Sequence, residues 1–126
     1  MPVEYKIHPH LECIFVTLKG IIEDSELLNA QREMFADPLF KGVYTRLIDG
    51  SDVESLAVDA FTVRFVAKAA EEKGMRRAAL VGSRHGRVVF ALMRMYENYA
   101  WRSEVEVFDD YASAVKWLAP VEKYHV

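Results

Sequence analysis

Apolar and polar positions along the chain fall into blocks that switch between a period of two and a helical period. Val3 to His8 alternates loosely and then meets Pro9. Leu11 to Leu18 is dense in Ile, Phe, Val and Thr, and Gly20 closes it. Two such runs around His8-Pro9-His10 read as an antiparallel hairpin, in which proline ends the first run because it has no N–H for the ladder. Leu27, Leu28, Met34 and Phe35 then recur at helical spacing. Asp24 is the expected N-cap of that helix, with Glu26 in its first turn, and Asp37-Pro38 stops it.

Val43 to Ile48 is short and apolar, as a buried central strand would be. It runs into Asp49-Gly50-Ser51-Asp52, an acidic stretch with a glycine, which reads as a turn. Ser51-Asp52-Val53-Glu54 has the S-x-x-E form of a capping box, so a helix is expected from Ser51 or from near Ser55. That helix carries Val58, Phe61, Phe65 and Ala69 on one side and ends at Gly74. Ala78 to Val81 is a further strand, and Gly82-Ser83-Arg84-His85-Gly86 a loop. Val88 to Ala100 is the most apolar helix, and Glu104 to Phe108 alternates as a last strand. Asp109 is the expected cap of a final helix with Tyr111, Val115 and Leu118 inward, Pro120 at its end and a loose tail from Val121 to Val126. The order is ββαβαβαβα. It implies an α/β fold with right-handed crossovers and a five-stranded mixed sheet with about four helices. No repeat or linker interrupts it, so 1–126 is read as one domain.

Composition narrows the functional classes. A chain of 126 residues with 52% hydrophobic and 28% charged residues has the make-up of a globular protein able to bury a core. A net charge of -3 gives no basic footprint, which argues against nucleic acid as a partner. No apolar run approaches the roughly 20 residues of a membrane span, and the first residues lack the pattern of a signal peptide. With one cysteine, Cys13, an internal disulfide is excluded, and the cytoplasm is the expected location.

Candidate chemistry is sparse. His8, His10, Glu12 and Cys13 have the types of metal ligands, but turn and strand positions that alternate in direction do not converge on one ion. No metal and no cofactor is expected. Ser51 and Ser83 lie outside any G-x-S-x-G elbow, and no base is placed near them. Asp49 and Asp52 are of the type that holds magnesium or works as acid and base, yet acidic residues at a strand end also have an ordinary structural role. The stretch from Gly82 to Arg87 joins a strand to a helix start, where free N–H groups and two arginines, Arg84 and Arg87, suit an anion. In the Val88 to Ala100 helix, Val89, Leu92, Met93 and Tyr96 form one stripe, while Val88, Phe90, Met95 and Tyr99 fall outside it. So much apolar surface implies a cavity for a greasy ligand beside Met93 and Tyr96, or a homodimer seam.

Leu47-Ile48-Asp49, Arg94-Met95-Tyr96-Glu97 and Val107-Phe108-Asp109-Asp110, with Ala114, Trp117 and Leu118, resemble the SpoIIAA-like family. The resemblance runs from Tyr5 to Leu118. It implies a STAS-like fold, related in shape to the CRAL-TRIO lipid-transfer domains, in a bacterial domain usually without assigned enzymatic activity. STAS proteins antagonise anti-sigma factors and are switched by phosphorylation of a serine or threonine where the helix after the central strand begins. Here that neighbourhood runs from Ser55 to Phe61. Asp59 matches the aspartate of the motif, but Ala60 follows it and has no hydroxyl, leaving Ser51 and Ser55 as the nearby acceptors. Two functions follow, both non-enzymatic. One is a regulatory domain that presents Asp49, Gly50, Ser51, Asp52 and Ser55 to a protein partner. The other is a carrier or sensor of an apolar or lipid-like small molecule.

Overall fold

The computed structural model describes residues 2–83 and 86–123, the last five as helix backbone only. Strands β1 (Val3–His8) and β2 (Cys13–Glu23) form the expected antiparallel hairpin through a single 3-10 turn at Pro9–Leu11. They are followed by α1 (Asp24–Ala36), β3 (Thr45–Ala57), α2 (Ala60–Glu72), β4 (Arg77–Val81), α3 (Arg87–Tyr99), β5 (Glu104–Phe108) and α4 (Tyr111–Lys123). The strands lie side by side in chain order, β1-β2-β3-β4-β5, with every pair after the hairpin parallel.

That order dictates the layers. Each crossover from β2 to β5 steps in one direction, so a right-handed connection places α1, α2 and α3 on the same face. α4 follows the last strand, is free of the crossover constraint and covers the other face over β3, β4 and β5. The two faces have separate cores. Under the three crossover helices lie Leu18, Ile22, Val53, Leu80 and Met93, and under α4 lie Cys13, Leu47, Ala79, Val81 and Ala114.

The stretch after the central strand is not a turn. β3 continues through Asp49, Gly50, Ser51, Asp52 and Ser55 to Ala57, paired all the way with β2. Between the Thr17–Asp49 and Lys19–Asp52 pairs, β3 takes three steps to two of β2. Between Gly20–Val53 and Ile21–Ser55 it takes two steps to one. These are two β-bulges, each adding one residue to β3 and increasing its twist. β4 ends at Val81, which pairs with Asp49, so the rest of β3 overhangs the sheet with no strand on that side among the described residues.

The cap residues shift accordingly. α2 is capped by Asp59, whose carboxylate accepts from Thr62 N–H at 2.8 Å, and not by Ser51 or Ser55. α1 is capped by Glu23 in a reciprocal box with Glu26. Asp24, the expected cap, accepts from Asp59 N–H at 3.1 Å and ties the start of α1 to that of α2. Asp110 rather than Asp109 accepts from Ser113 N–H at the start of α4, and that helix runs past Pro120 to Lys123. Gly74 does close α2, with φ at +89°.

Candidate functional site

Alternation along β3 decides which side chains meet. Leu47 and Asp49 point toward α4, whereas Arg46 and Ile48 point toward the crossover helices. On the crossover side the sheet and helices leave an apolar cavity of about 120 Å³. Its floor is Val16, Leu18 and Ile48, and its walls are Leu27 and Ala30 of α1, Val66 of α2 and Leu92 and Met93 of α3. Val16, Leu27, Ile48, Val66 and Leu92 are all half-buried although they sit between sheet and helices. The cavity is therefore a cleft that opens to solvent. Gln31 spans α1 and α2 by donating to Val66 O at 2.8 Å.

Within this cleft stands one formal charge. Arg46 lies on the central strand, between Ile14 of β2 and Ala78 of β4, and is 6% exposed. Its Nη2 donates to Tyr96 Oη at 2.6 Å, and its guanidinium carbon lies 5.7 Å from the centre of the Tyr96 ring. Its Nε is buried and has no hydrogen-bond partner. Among the described residues no carboxylate forms an ion pair with it. Arginine does not shed its proton in proteins, so the fold holds a cation in an apolar setting with one neutral hydroxyl for company. At the rim, Tyr5 donates to Asp37 Oδ2 at 3.0 Å. Burial, and then the adjacent Asp37 carboxylate, raise the Tyr5 phenol above its ordinary value of 10.0.

The residues singled out in the sequence do not form one site. Met93 and Tyr96 line the cleft, and Gly50 abuts it from β3. A Cβ on Gly50 would stand 2.8 Å from Met93 Cε, which can swing away, and 2.9 Å from Val81 O, which cannot, so glycine fits β3 against the last carbonyl of β4. Asp49 is on the opposite face. There it borders a second depression of about 270 Å³ with Phe15, Thr17, Leu47 and Tyr111. Its Oδ1 accepts from Ser51 N–H at 3.0 Å and from the Ser51 hydroxyl at 2.7 Å, a local bond pair that shapes the first bulge. Asp52 and Ser55 are exposed on the overhang of β3. Arg87 is exposed at the first turn of α3, and Arg84 lies outside the described residues.

In the loop before α3, Gly82 N–H donates to Phe108 O, and Ser83 is buried with its hydroxyl donating to Val53 O at 2.6 Å. His8 packs its ring against Phe15 at 4.7 Å, His10 is exposed and Cys13 is buried. Among the described residues no three His, Cys, Asp or Glu side chains gather as a metal site would need. No helix among them is long and apolar enough to cross a membrane.

A sheet ordered by sequence, one antiparallel edge, three crossover helices on one face and a closing helix on the other is a layout shared with a solved structure. That structure is an uncharacterized DUF3478-family protein with a SpoIIAA-like fold from Shewanella loihica PV-4. The two superpose with a TM-score of 0.57 at 16% identity, over 92% of this chain and 91% of the other. This chain has a SpoIIAA-like fold. No family model matches it, and no curated protein is similar enough to count as a relative. The SpoIIAA-like layout puts Ala60 at the first position of α2, directly after the capping Asp59, while Ser51 and Ser55 belong to β3.

Arg46 is the residue that sequence reasoning missed. Its signal is a charge inside the short apolar run from Val43 to Ile48, one residue from Leu47 and two from Tyr44. In a strand covered on both faces such a charge has nowhere polar to point.

Proposed function

We propose that this SpoIIAA-like domain is a non-enzymatic binding module that holds an apolar small molecule in the cleft between β2, β3 and the crossover helices. The observation that supports it is the cleft itself. A void of about 120 Å³ in a small domain forfeits packing, since each unfilled pocket in a core costs stability roughly in proportion to its volume. An engineered apolar cavity of about 150 Å³ takes up benzene, so the room here suits a ring or a short aliphatic chain. Titration with hexan-1-ol, followed by NMR, tests this reading. Shifts are expected at Leu27, Leu92 and Met93, and none at saturating alcohol would overturn it.

A second reading, that of a regulatory domain acting on a protein partner or on a second copy of itself, draws on the outer surface. Phe61 and Phe65 on α2 are 77% and 53% exposed, and Trp101 after α3 is 79% exposed. Large aromatics in the open are typical of contact surfaces. They stand beside the stretch from Asp49 to Ser55, whose Asp52 and Ser55 are exposed on continuous strand, as elements a partner could meet. Sedimentation of wild type against Phe61→Ser/Phe65→Ser separates the cases. Self-association lost in the variant supports a homodimer, and a monomer of both at high concentration removes it.

A further inference from the structure

We infer that Arg46 and Tyr96 form an anion-recognition pair at the floor of the cleft, so that its ligand is a monocarboxylic acid with a short apolar tail. This rests on the reading of the cleft as a ligand site and adds the chemistry of the headgroup. The argument starts from the charge. A guanidinium that is 94% out of solvent keeps its proton and is normally matched by a carboxylate or phosphate. The described part of the chain supplies none, and Nε has no protein acceptor. An incoming carboxylate fits the gap. One oxygen takes up the Nε–H, and the planar fork of the guanidinium matches the planar carboxylate.

Tyr96 sharpens the choice. Its hydroxyl oxygen already accepts from Nη2, so its own proton remains to be donated to a second ligand oxygen. One cation and one neutral donor balance one negative charge. A phosphate dianion would leave a second charge buried without a partner, which disfavours it. The tail then extends past Leu18 and Ile48 toward Leu27, Leu92 and Met93, all apolar. The other polar side chains of the lining have their donors engaged, Gln31 with Val66 O and Tyr5 with Asp37. The ligand's polar groups are therefore gathered at one end.

The test compares hexanoate with hexan-1-ol, which share a six-carbon chain and differ in charge, by calorimetry and NMR on the wild type, Arg46→Met and Tyr96→Phe. Hydrogen bonds to a charged partner predict that the wild type binds hexanoate at least about tenfold tighter than the alcohol. Arg46→Met should erase that preference while still binding the alcohol, and Tyr96→Phe should shrink it severalfold. Equal binding of the two probes by the wild type would overturn the inference and leave the apolar cleft standing. Binding of neither would remove the cleft reading and this inference with it. If Arg46→Met does not fold, the wild-type preference and the Tyr96→Phe result decide the matter alone. Stronger binding of hexyl phosphate than of hexanoate would also overturn the assignment to a carboxylate.

Discussion

Each face of the sheet carries one largely buried arginine, and the chain treats the two in opposite ways. Arg77, at the start of β4, is paired with Glu104, donates to Trp117 O at 3.0 Å and stacks on the Trp117 ring at 3.8 Å. Arg46, on the neighbouring strand, has Tyr96 Oη and, among the described residues, no ion-pair partner of opposite charge. Around Arg77 the side chains of the α4 face close up, with Ala79, Val81 and Ala114 fully buried. Around Arg46 the opposite face opens into a cleft. Both arginines leave a buried Nε without a hydrogen-bond partner, but one cation is neutralised from within the chain and the other has no counter-charge among the described residues. The difference teaches that charge balance, more than packing, sets the two faces apart: both are indented, but only the crossover face holds a buried cation without a counter-charge among the described residues.

The sharpest probe of this contrast uses adjacent residues that point to opposite faces. Leu47→Ala, under α4, should cost about 3 kcal/mol in urea unfolding because Leu47, although it borders the depression on that face, is only 3% exposed and packs with Ala79, Val81 and Ala114. Ile48→Ala only widens a cleft that exists, and about 1.5 kcal/mol is expected. Equal costs would mean that the two faces are packed alike.

Enlarging a side chain should invert the sign. Ala114→Leu overpacks the α4 face and is expected to destabilise by about 2 kcal/mol. Ala30→Leu fills the cleft from α1 and should stabilise by about 1 kcal/mol while abolishing hexan-1-ol binding. A destabilised Ala30→Leu that still binds the alcohol would break the comparison.

The arginines themselves come next. Arg46→Met removes a buried cation that lacks a counter-charge, and a gain of about 1 kcal/mol is expected. Arg77→Met loses a stacked and paired one and should cost about 1 kcal/mol. Chemical denaturation of the two variants side by side reads both signs.

The smallest effect lies at the rim. The Tyr5 phenol titrates above its ordinary value of 10.0, so its bond to Asp37 contributes fully below about pH 10 and is lost as the pH rises through the folded-state value. Tyr5→Phe should lower stability by about half a kcal/mol near neutrality, and the gap to wild type should close in alkaline solution. A gap that stays constant to high pH would show that the hydroxyl contributes through packing alone.

The fold was legible because each element announces itself locally. The hairpin, the four helices and the order of strands follow from runs such as Leu11 to Leu18 and the stripe of Val89, Leu92, Met93 and Tyr96. The length of β3 was not legible. Ser51-Asp52-Val53-Glu54 has the chemistry of a helix start, and the two bulges break the alternation that would have marked a strand. What decides it is pairing with Lys19 to Glu23, a partner some thirty residues away, and side-chain pattern within the segment carries no trace of that. Caps moved by a residue where two acidic groups stood together, as at Glu23 and Asp24 or at Asp109 and Asp110.

Half of the candidate site could be read. An excess of apolar surface on α3 pointed to Met93 and Tyr96, which do line the cleft. Asp49 was attractive as the last residue of a strand before an acidic turn. Its parity sends it to the other face, and in a sheet whose strand order never reverses there is no switch-point crevice for it to serve. Arg46 went unread because its meaning depends on what stands opposite. Only the assembled helices show that no carboxylate among the described residues does.

The overhang of β3 gives its acidic run a different significance. Past Val81 this strand has no paired strand on that side among the described residues. The Ser83 hydroxyl donates to Val53 O, and along what remains of the edge a second polypeptide could add itself, the usual opening step of fibril growth. Asp52 and Glu54 are exposed there beside two kinks in the backbone, and both features discourage an incoming strand from zipping on. Replacing the two with valine should leave the monomer folded and turn concentrated solutions turbid, with thioflavin fluorescence as the readout. The negative charges that first drew attention as chemistry would then be what keeps this protein dispersed.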